Sequence, residues 1–203
     1  MPTFFAASLA LAGSKPLVFV PDASAAAGQL DGTVWTINSE HYTARLVLLD
    51  DATREKWLLQ HAGAITDPFV SLPGAPPNFL TFLLDLECRG EGRIYFQPIG
   101  TRLIPPDGDL RNPLDVPSIQ SIFEMLEKKL PPAYEGILNK VLLQKQVDLA
   151  PKARATGLIA FRVAGMSMRR FRLEVRLTGP SGEDLGFDAP YIAVKPGHSA
   201  SKP

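Results

Sequence analysis

The chain has little of what most functional classes require. One cysteine, Cys88, in 203 residues excludes an internal disulfide framework and a thiolate zinc cage. No charge of one sign dominates. Lys plus Arg and Asp plus Glu both total 21, which argues against a histone-like nucleic-acid binder. No apolar run approaches the ~18 residues that a membrane-spanning helix needs. The Walker loop is missing, and His41, His61 and His198 stand far apart with no His-x-x-x-His spacing. What is present is a hydrophobic fraction of 45%, too high for a disordered chain. With 16 Gly and 19 Pro, the apolar segments must be short and joined by many turns.

Residues 1–30 read as a leader or a loosely ordered segment. The apolar run Phe4 to Gly13, followed by the small-residue site Ala23-Ser24-Ala25, has the outline of a secretory signal, although Met1-Pro2-Thr3 carries no basic residue. Leu11-Ala12-Gly13-Ser14 has the outline of a lipoprotein box, but Ser14 occupies the position where lipidation needs a thiol. The alternative is an ordinary first strand, Leu17-Val18-Phe19-Val20. The first reading places the protein outside the cytoplasm, in a periplasm or at a cell surface. The second leaves a cytoplasmic location open.

From residue 31 to 194 the sequence predicts one β-sandwich domain, with a polar, flexible tail over 195–203. Period two dominates. Residues 32–38, 41–49, 156–163, 168–177 and 186–194 alternate as half-buried strands. In 78–88, Leu80, Phe82, Leu84, Leu86 and Cys88 share a face. Asp50 to Thr53 reads as a turn and Lys56 to Gln60 as a further strand. Gly90-Glu91-Gly92 reads as a turn that returns Arg93 to Gln97 as a hairpin partner of the strand before it.

Residues 117–146 switch to period 3.6. Ile119, Ile122, Phe123, Leu126 and Leu130 form one stripe. Tyr134, Ile137, Leu138, Val141 and Leu142 form a second beyond Pro131-Pro132, so a two-helix hairpin is expected, capping an open end of the sandwich. The predicted fold is therefore mostly β: an immunoglobulin-like antiparallel β-sandwich with an inserted two-helix hairpin.

The order of parts carries a resemblance. A long apolar strand and hairpin (Phe79 to Gln97) precede an insertion. A Gly-Leu-Ile-Ala-Phe strand (Gly157 to Phe161), a strongly alternating strand and a Phe187 to Tyr191 strand follow. This resembles the telokin-like immunoglobulin-fold domains of exported bacterial proteins, a group of unknown function. The resemblance spans roughly residues 32–194 and implies an extracytoplasmic adhesion, scaffold or accessory role with no active site to carry over.

Chemistry-bearing groups are few. Gly165-Met166-Ser167-Met168-Arg169 starts like a nucleophile elbow, but Arg169 stands at the second Gly and a strand follows instead of a helix. Asp107, Asp109 and Asp115 are the best oxygen ligands for calcium, yet they lack EF-hand spacing and Arg111 sits among them. His41, His61 and Cys88 could form a metal site only if folding assembled them. Asp85 and Glu87 share a strand face, where acid–base work would need burial to separate their titrations. No metal and no cofactor are expected.

Charge placement is the remaining signal. Between Lys152 and Arg176 there are seven basic residues and one acid, Glu174. Arg162, Arg169, Arg170, Arg172 and Arg176 are the expected docking residues, with Arg170, Arg172 and Arg176 on one outer face. They suit an acidic protein partner, including one in a membrane-associated complex, or an anionic lipid surface. Nucleic acid is not expected, because no aromatic side chain interleaves the arginines. The expectation is thus a non-enzymatic accessory or structural subunit of an envelope-associated assembly. The alternative is a small-ligand or calcium-binding module using loops 61–77 and 105–115.

Overall fold

Phe79–Cys88 changes character along its length. Its even-numbered side chains from Leu80 to Cys88 are all buried, while the odd-numbered side chains run from buried Phe79 and Thr81 to half-exposed Asp85 and Glu87. Such a strand must lie against a core on one face throughout and be covered on the other face at one end only. The structure, a computed structural model, shows this arrangement. It describes residues 18–24, 28–63, 67–70, 78–106, 108–125, 130–163 and 168–195.

In chain order the elements are β1 (Val18–Pro21), β2 (Gln29–Asp31), β3 (Val34–Asn38), β4 (Tyr42–Leu49), α1 (Asp51–Ala62), β5 (Phe79–Cys88), β6 (Ile94–Phe96) and β7 (Arg102–Ile104). Then follow α2 (Val116–Met125), α3 (Pro132–Val141), β8 (Val147–Leu149), β9 (Arg154–Arg162), β10 (Arg170–Val175), β11 (Leu177–Thr178) and β12 (Phe187–Val194). A five-stranded sheet has the order β2-β3-β4-β5-β9, a four-stranded sheet β1-β12-β10-β7, and a small sheet β11-β6-β8. All strand pairs are antiparallel. Only Arg176 separates β10 from β11, so one run of chain passes from the four-stranded sheet into the small one.

The sheets share one core, as a β-sandwich requires. Leu46, Phe82, Leu84 and Phe161 meet Phe96, Phe171, Leu173 and Tyr191 in a single apolar cluster. Phe82 lies at its aromatic centre, with ring centroids 5.5 Å from Tyr191, 5.9 Å from Phe161 and 6.0 Å from Phe171.

A second cluster fills the space between the outer face of the five-stranded sheet and the helices. It joins Leu49, Phe79, Leu158 and Ala160 to Leu58, Ile119, Ile122, Leu138 and Val141. The helical stripes read from the sequence therefore cover a sheet face and do not cap an open end, as was expected. Leu126 lies outside the described residues. The last strand of that sheet is also closed along its edge. Leu114 N–H donates to Ala160 O at 2.8 Å, and Leu143 N–H donates to Leu158 O at 2.9 Å. Gly157 permits the crossing, because a Cβ there would stand 2.8 Å from Leu143 Cγ and 2.9 Å from Val141 O.

Two further sequence expectations need correction. Lys56 to Gln60 is not a strand but part of α1. Asp50 caps that helix by accepting from Thr53 N–H at 2.7 Å, and Gly63 at φ +64° ends it. Arg93 to Gln97 does not pair back with the preceding strand. Both edges of β5 are occupied, by β4 and β9, so β6 crosses to pair with β8 and β11. Val18–Pro21 is a strand along β12, in keeping with the alternative reading of the amino terminus, and Phe19 packs edge-on against Phe171 at 5.1 Å.

Under α1 lies a buried ion pair that no sequence pattern announced. Arg54 is 2% exposed and Asp67 7%. Arg54 Nε donates to Asp67 Oδ2 at 2.7 Å, NH2 donates to Asp51 Oδ1 at 2.6 Å, and NH1 donates to Thr81 Oγ1 at 3.2 Å. Asp67 Oδ1 accepts from Phe69 N–H at 2.9 Å, so the carboxylate is held on both sides.

Candidate functional site

The register places the expected docking residues without further assumption. Outward side chains on the four-stranded sheet form rows across its strands. Val18 stands beside Val194. Val20, Ile192 and Arg170 make the next row. Pro190, Arg172 and Ile104 make the third, and Asp188, Glu174 and Arg102 the fourth. Three of the four rows thus carry aliphatic side chains, and two of those three also carry one arginine each. Beside them opens a shallow groove of about 390 Å³, lined by Asp22, Ile104, Pro105, Pro106, Arg170, Arg172 and Pro190 among others.

The five arginines are not equivalent. Arg170 is exposed, and no carboxylate among the described residues lies within ion-pair distance of it. Arg169, just before β10, is exposed as well. Arg172 Nε is 3.4 Å from Asp188 Oδ2, and its side chain remains half exposed. Arg176 is engaged, donating to Glu174 Oε1 and to Asp184 Oδ2. Arg162 is on β9, opposite Phe79, and so belongs to the other sheet. The stripe expected from sequence therefore reduces to Arg169, Arg170 and Arg172. The sequence reading made no docking surface of the aliphatic rows beside them, although its alternative for the amino terminus was a strand over Leu17 to Val20. Their Val-x-Val spacing was the signal available.

The outer face of the five-stranded sheet offers a contrast. Beyond the helices it carries Asp85, flanked in register by Arg45 and Thr156. Burial alone would raise the Asp85 carboxyl. Hydrogen bonds from Arg154 and Thr156, with the charges of Arg154 and Arg45, outweigh that and hold it below the usual aspartate range. Asp85 is thus compensated by Arg154 from the neighbouring strand and not by the expected docking arginines. A carboxyl with a lowered folded-state value stabilises the fold above the unfolded value of ~3.9, and that contribution is lost as pH falls through the folded value. Asp85→Asn should therefore lower the urea midpoint near neutral pH. The gap to the parent should close on acidification below about pH 4. A gap independent of pH would show that ionisation of Asp85 plays no part.

The other candidate groups do not converge. Asp115 caps α2 by accepting from Ser118 N–H at 2.9 Å, and its hydrogen bonds with Ser118 lower its pKa. Asp109 pairs with Arg111, and Asp107 lies outside the described residues. His41 is 3.3 Å from Glu40 Oε1, whereas His61 is stacked on Trp57 of α1 with centroids 4.4 Å apart. Cys88 is buried, its Sγ 3.2 Å from Gly92 O. Among the described residues, no group of three His, Cys, Asp or Glu side chains is placed to hold a metal ion. The His41, His61 and Cys88 set is not assembled, and Asp109 and Asp115 engage separate partners. Ser167 and His198 lie outside the described residues. Gly90 to Gly92 is a connection into β6 with no helix behind it. A second groove, of about 330 Å³ along 142–147, is bordered by Gln144. That side chain already accepts from Val116 N–H at 3.2 Å and donates to Asn139 Oδ1 at 2.9 Å.

No protein-family model matches the chain. No curated protein matches it either. Among solved structures, the yjhA protein from Bacillus subtilis is similar at 13% identity and a TM-score of 0.39, over 74% of this chain and 81% of that one. Among the described residues, no helix is long and apolar enough to cross a membrane.

Proposed function

We propose that the protein is a non-enzymatic interaction domain, an accessory or structural subunit of an envelope-associated bacterial assembly. Its sandwich is of immunoglobulin-like type, similar to the telokin-like domains of exported proteins, and it works outside the cytoplasm by docking a protein partner on the four-stranded sheet. One observation carries the reading. Arg170 and Arg172 stand on a sheet face that no described helix covers, among aliphatic side chains, and Arg170 has no carboxylate partner among the described residues. Two-layer folds bury sheet faces against other elements, and arginine beside apolar side chains is a composition typical of interfaces.

The test is quantitative co-purification from cells of the source type, comparing the parent with Arg170→Glu/Arg172→Glu. Arg162→Glu, on the other sheet, serves as the control, and all three proteins are checked for equal thermal stability. The double reversal should reduce recovery of associated protein by about ten-fold or more, a loss of roughly 1.4 kcal/mol in binding. Recovery with the control should match the parent. Equal recovery across all three proteins overturns the proposal.

A further inference from the structure

The sheet face that no described helix covers also restricts what can sit on it. This inference rests on the docking reading above and extends it to the shape and chemistry of the occupant. Three rows, two residues apart along each strand, span about 14 Å, and four strands about 4.8 Å apart span about 14 Å in the other direction. The aliphatic and arginine surface is thus roughly 200 Å², well below the ~800 Å² per partner of a stable contact between two folded domains. A second copy of the chain does not suit this patch, since it would bring the same small surface and the same arginines to the contact. One helix or strand of a partner does suit it.

The domain's other sheet favours a helix. There the outer face is covered by α1, α2 and α3, whose apolar stripes lie on Leu49, Phe79, Leu158 and Ala160. The outer face of the four-stranded sheet offers matching aliphatic side chains in Val18, which is 46% exposed, and in half-buried Val20, Ile192, Val194 and Ile104. What it adds is positive charge along one side. Arg170 and Arg172 point outward from the same strand, about 6.8 Å apart along it. Two carboxylates at i and i+4 of a helix are about 6 Å apart along the axis and can meet both guanidinium groups together.

We infer that the partner element is an amphipathic acidic helix. It lies along β10 and β12 with its apolar stripe over Val20, Ile192 and Pro190, and an i, i+4 pair of Asp or Glu bonded to Arg170 and Arg172. Asp22, on the groove wall, is already engaged by Ser24, whose Oγ donates to it at 2.6 Å and whose N–H donates at 3.1 Å. Arg172 is shared with Asp188, which leaves Arg170 as the charge on this face with no carboxylate partner among the described residues.

Fluorescence anisotropy with the full chain tests this. The probes are two labelled synthetic helices of about 18 residues, long enough to cross the face. They share one Leu stripe and differ only in carrying Glu or Lys pairs at i, i+4. The Glu helix should bind at least about ten-fold more tightly than the Lys helix, and that preference should vanish in Arg170→Glu/Arg172→Glu and weaken with added salt. Equal binding of the two helices, or binding of neither, overturns the inference. A third arm uses vesicles containing about 30% phosphatidylglycerol. Arginine-dependent capture by those vesicles, with no competition from the Glu helix, overturns it in favour of a membrane surface. If the double reversal removes associated protein in the co-purification while the two helices bind alike, the helical occupant fails and docking stands. If the reversal removes nothing, docking itself fails.

Discussion

Arg54→Ala should lower the unfolding free energy by about 3–5 kcal/mol, read from urea denaturation at neutral pH. The effect follows from what remains behind. Asp67 would stay buried beneath α1 with its negative charge uncompensated, and Thr81 Oγ1 would lose the donor that now reaches it at 3.2 Å. The guanidinium also sits 5.9 Å from the Phe69 ring centroid, so the substitution removes packing as well as charge. Arg54→Ala/Asp67→Asn should recover part of the loss, because an amide costs less to bury than a carboxylate. Arg54→Met/Asp67→Leu should lie nearer the parent than either, since a well-packed apolar pair can replace a buried ion pair at little cost. A loss below about 1 kcal/mol for Arg54→Ala would show that water reaches Asp67 and that the pair does not hold α1 to the sheet.

Phe82→Ala should cost a similar amount, about 3–5 kcal/mol, for a different reason. Its ring is fully buried and touches Phe161 in its own sheet and Phe171 and Tyr191 in the facing one. Truncation leaves a hole that neither sheet can close without breaking strand pairing, so the lost apolar contact and the cavity both count. Phe82→Leu keeps most of the volume and should cost clearly less. Equal losses for the two would mean that the site collapses around the smaller side chain and that the sheets are not held rigidly apart. Near-ultraviolet circular dichroism should report the change directly, because Phe171 and Tyr191 stack with centroids 5.0 Å apart beside the vacated space.

The strand content was legible wherever one face is dry and the other wet. Phe171, Leu173 and Val175 alternate with Arg170, Arg172 and Glu174, and the structure keeps that alternation. The stripes of α2 and α3 were legible because aliphatic residues recur at helical spacing. The first helix was not, and the reason is specific. At its inner face, one turn before Leu58, stands Arg54, the only other fully buried residue of the helix. A charged residue at a core position conceals the stripe, and its partner Asp67 comes from a distant, irregular segment. The misplaced hairpin has a different origin. Local turn chemistry at Gly90 to Gly92 is real, but pairing is decided by which sheet edges are free, and that is a property of the whole topology. For the site, the arginine run could be read, but how far each member is neutralised could not. Asp184 reaches Arg176 across a tight turn, Glu174 reaches it from two residues earlier on the same run of chain, and Arg162 sits on a separate sheet.

The sealed edge of β9 bears on how the protein behaves when stressed. The strand beneath it, Leu158 to Val163, is a hydrophobic, β-prone run interrupted by a single charge, Arg162, and it contains no proline. Segments of this kind template intermolecular pairing once their backbone is exposed. The segments around Leu114 and Leu143 therefore act as a guard against aggregation, and they belong to the helical layer that Arg54 helps to anchor. Loosening that layer would uncover an adhesive strand before the sandwich itself melts, so heating should lead to precipitation and not to reversible unfolding.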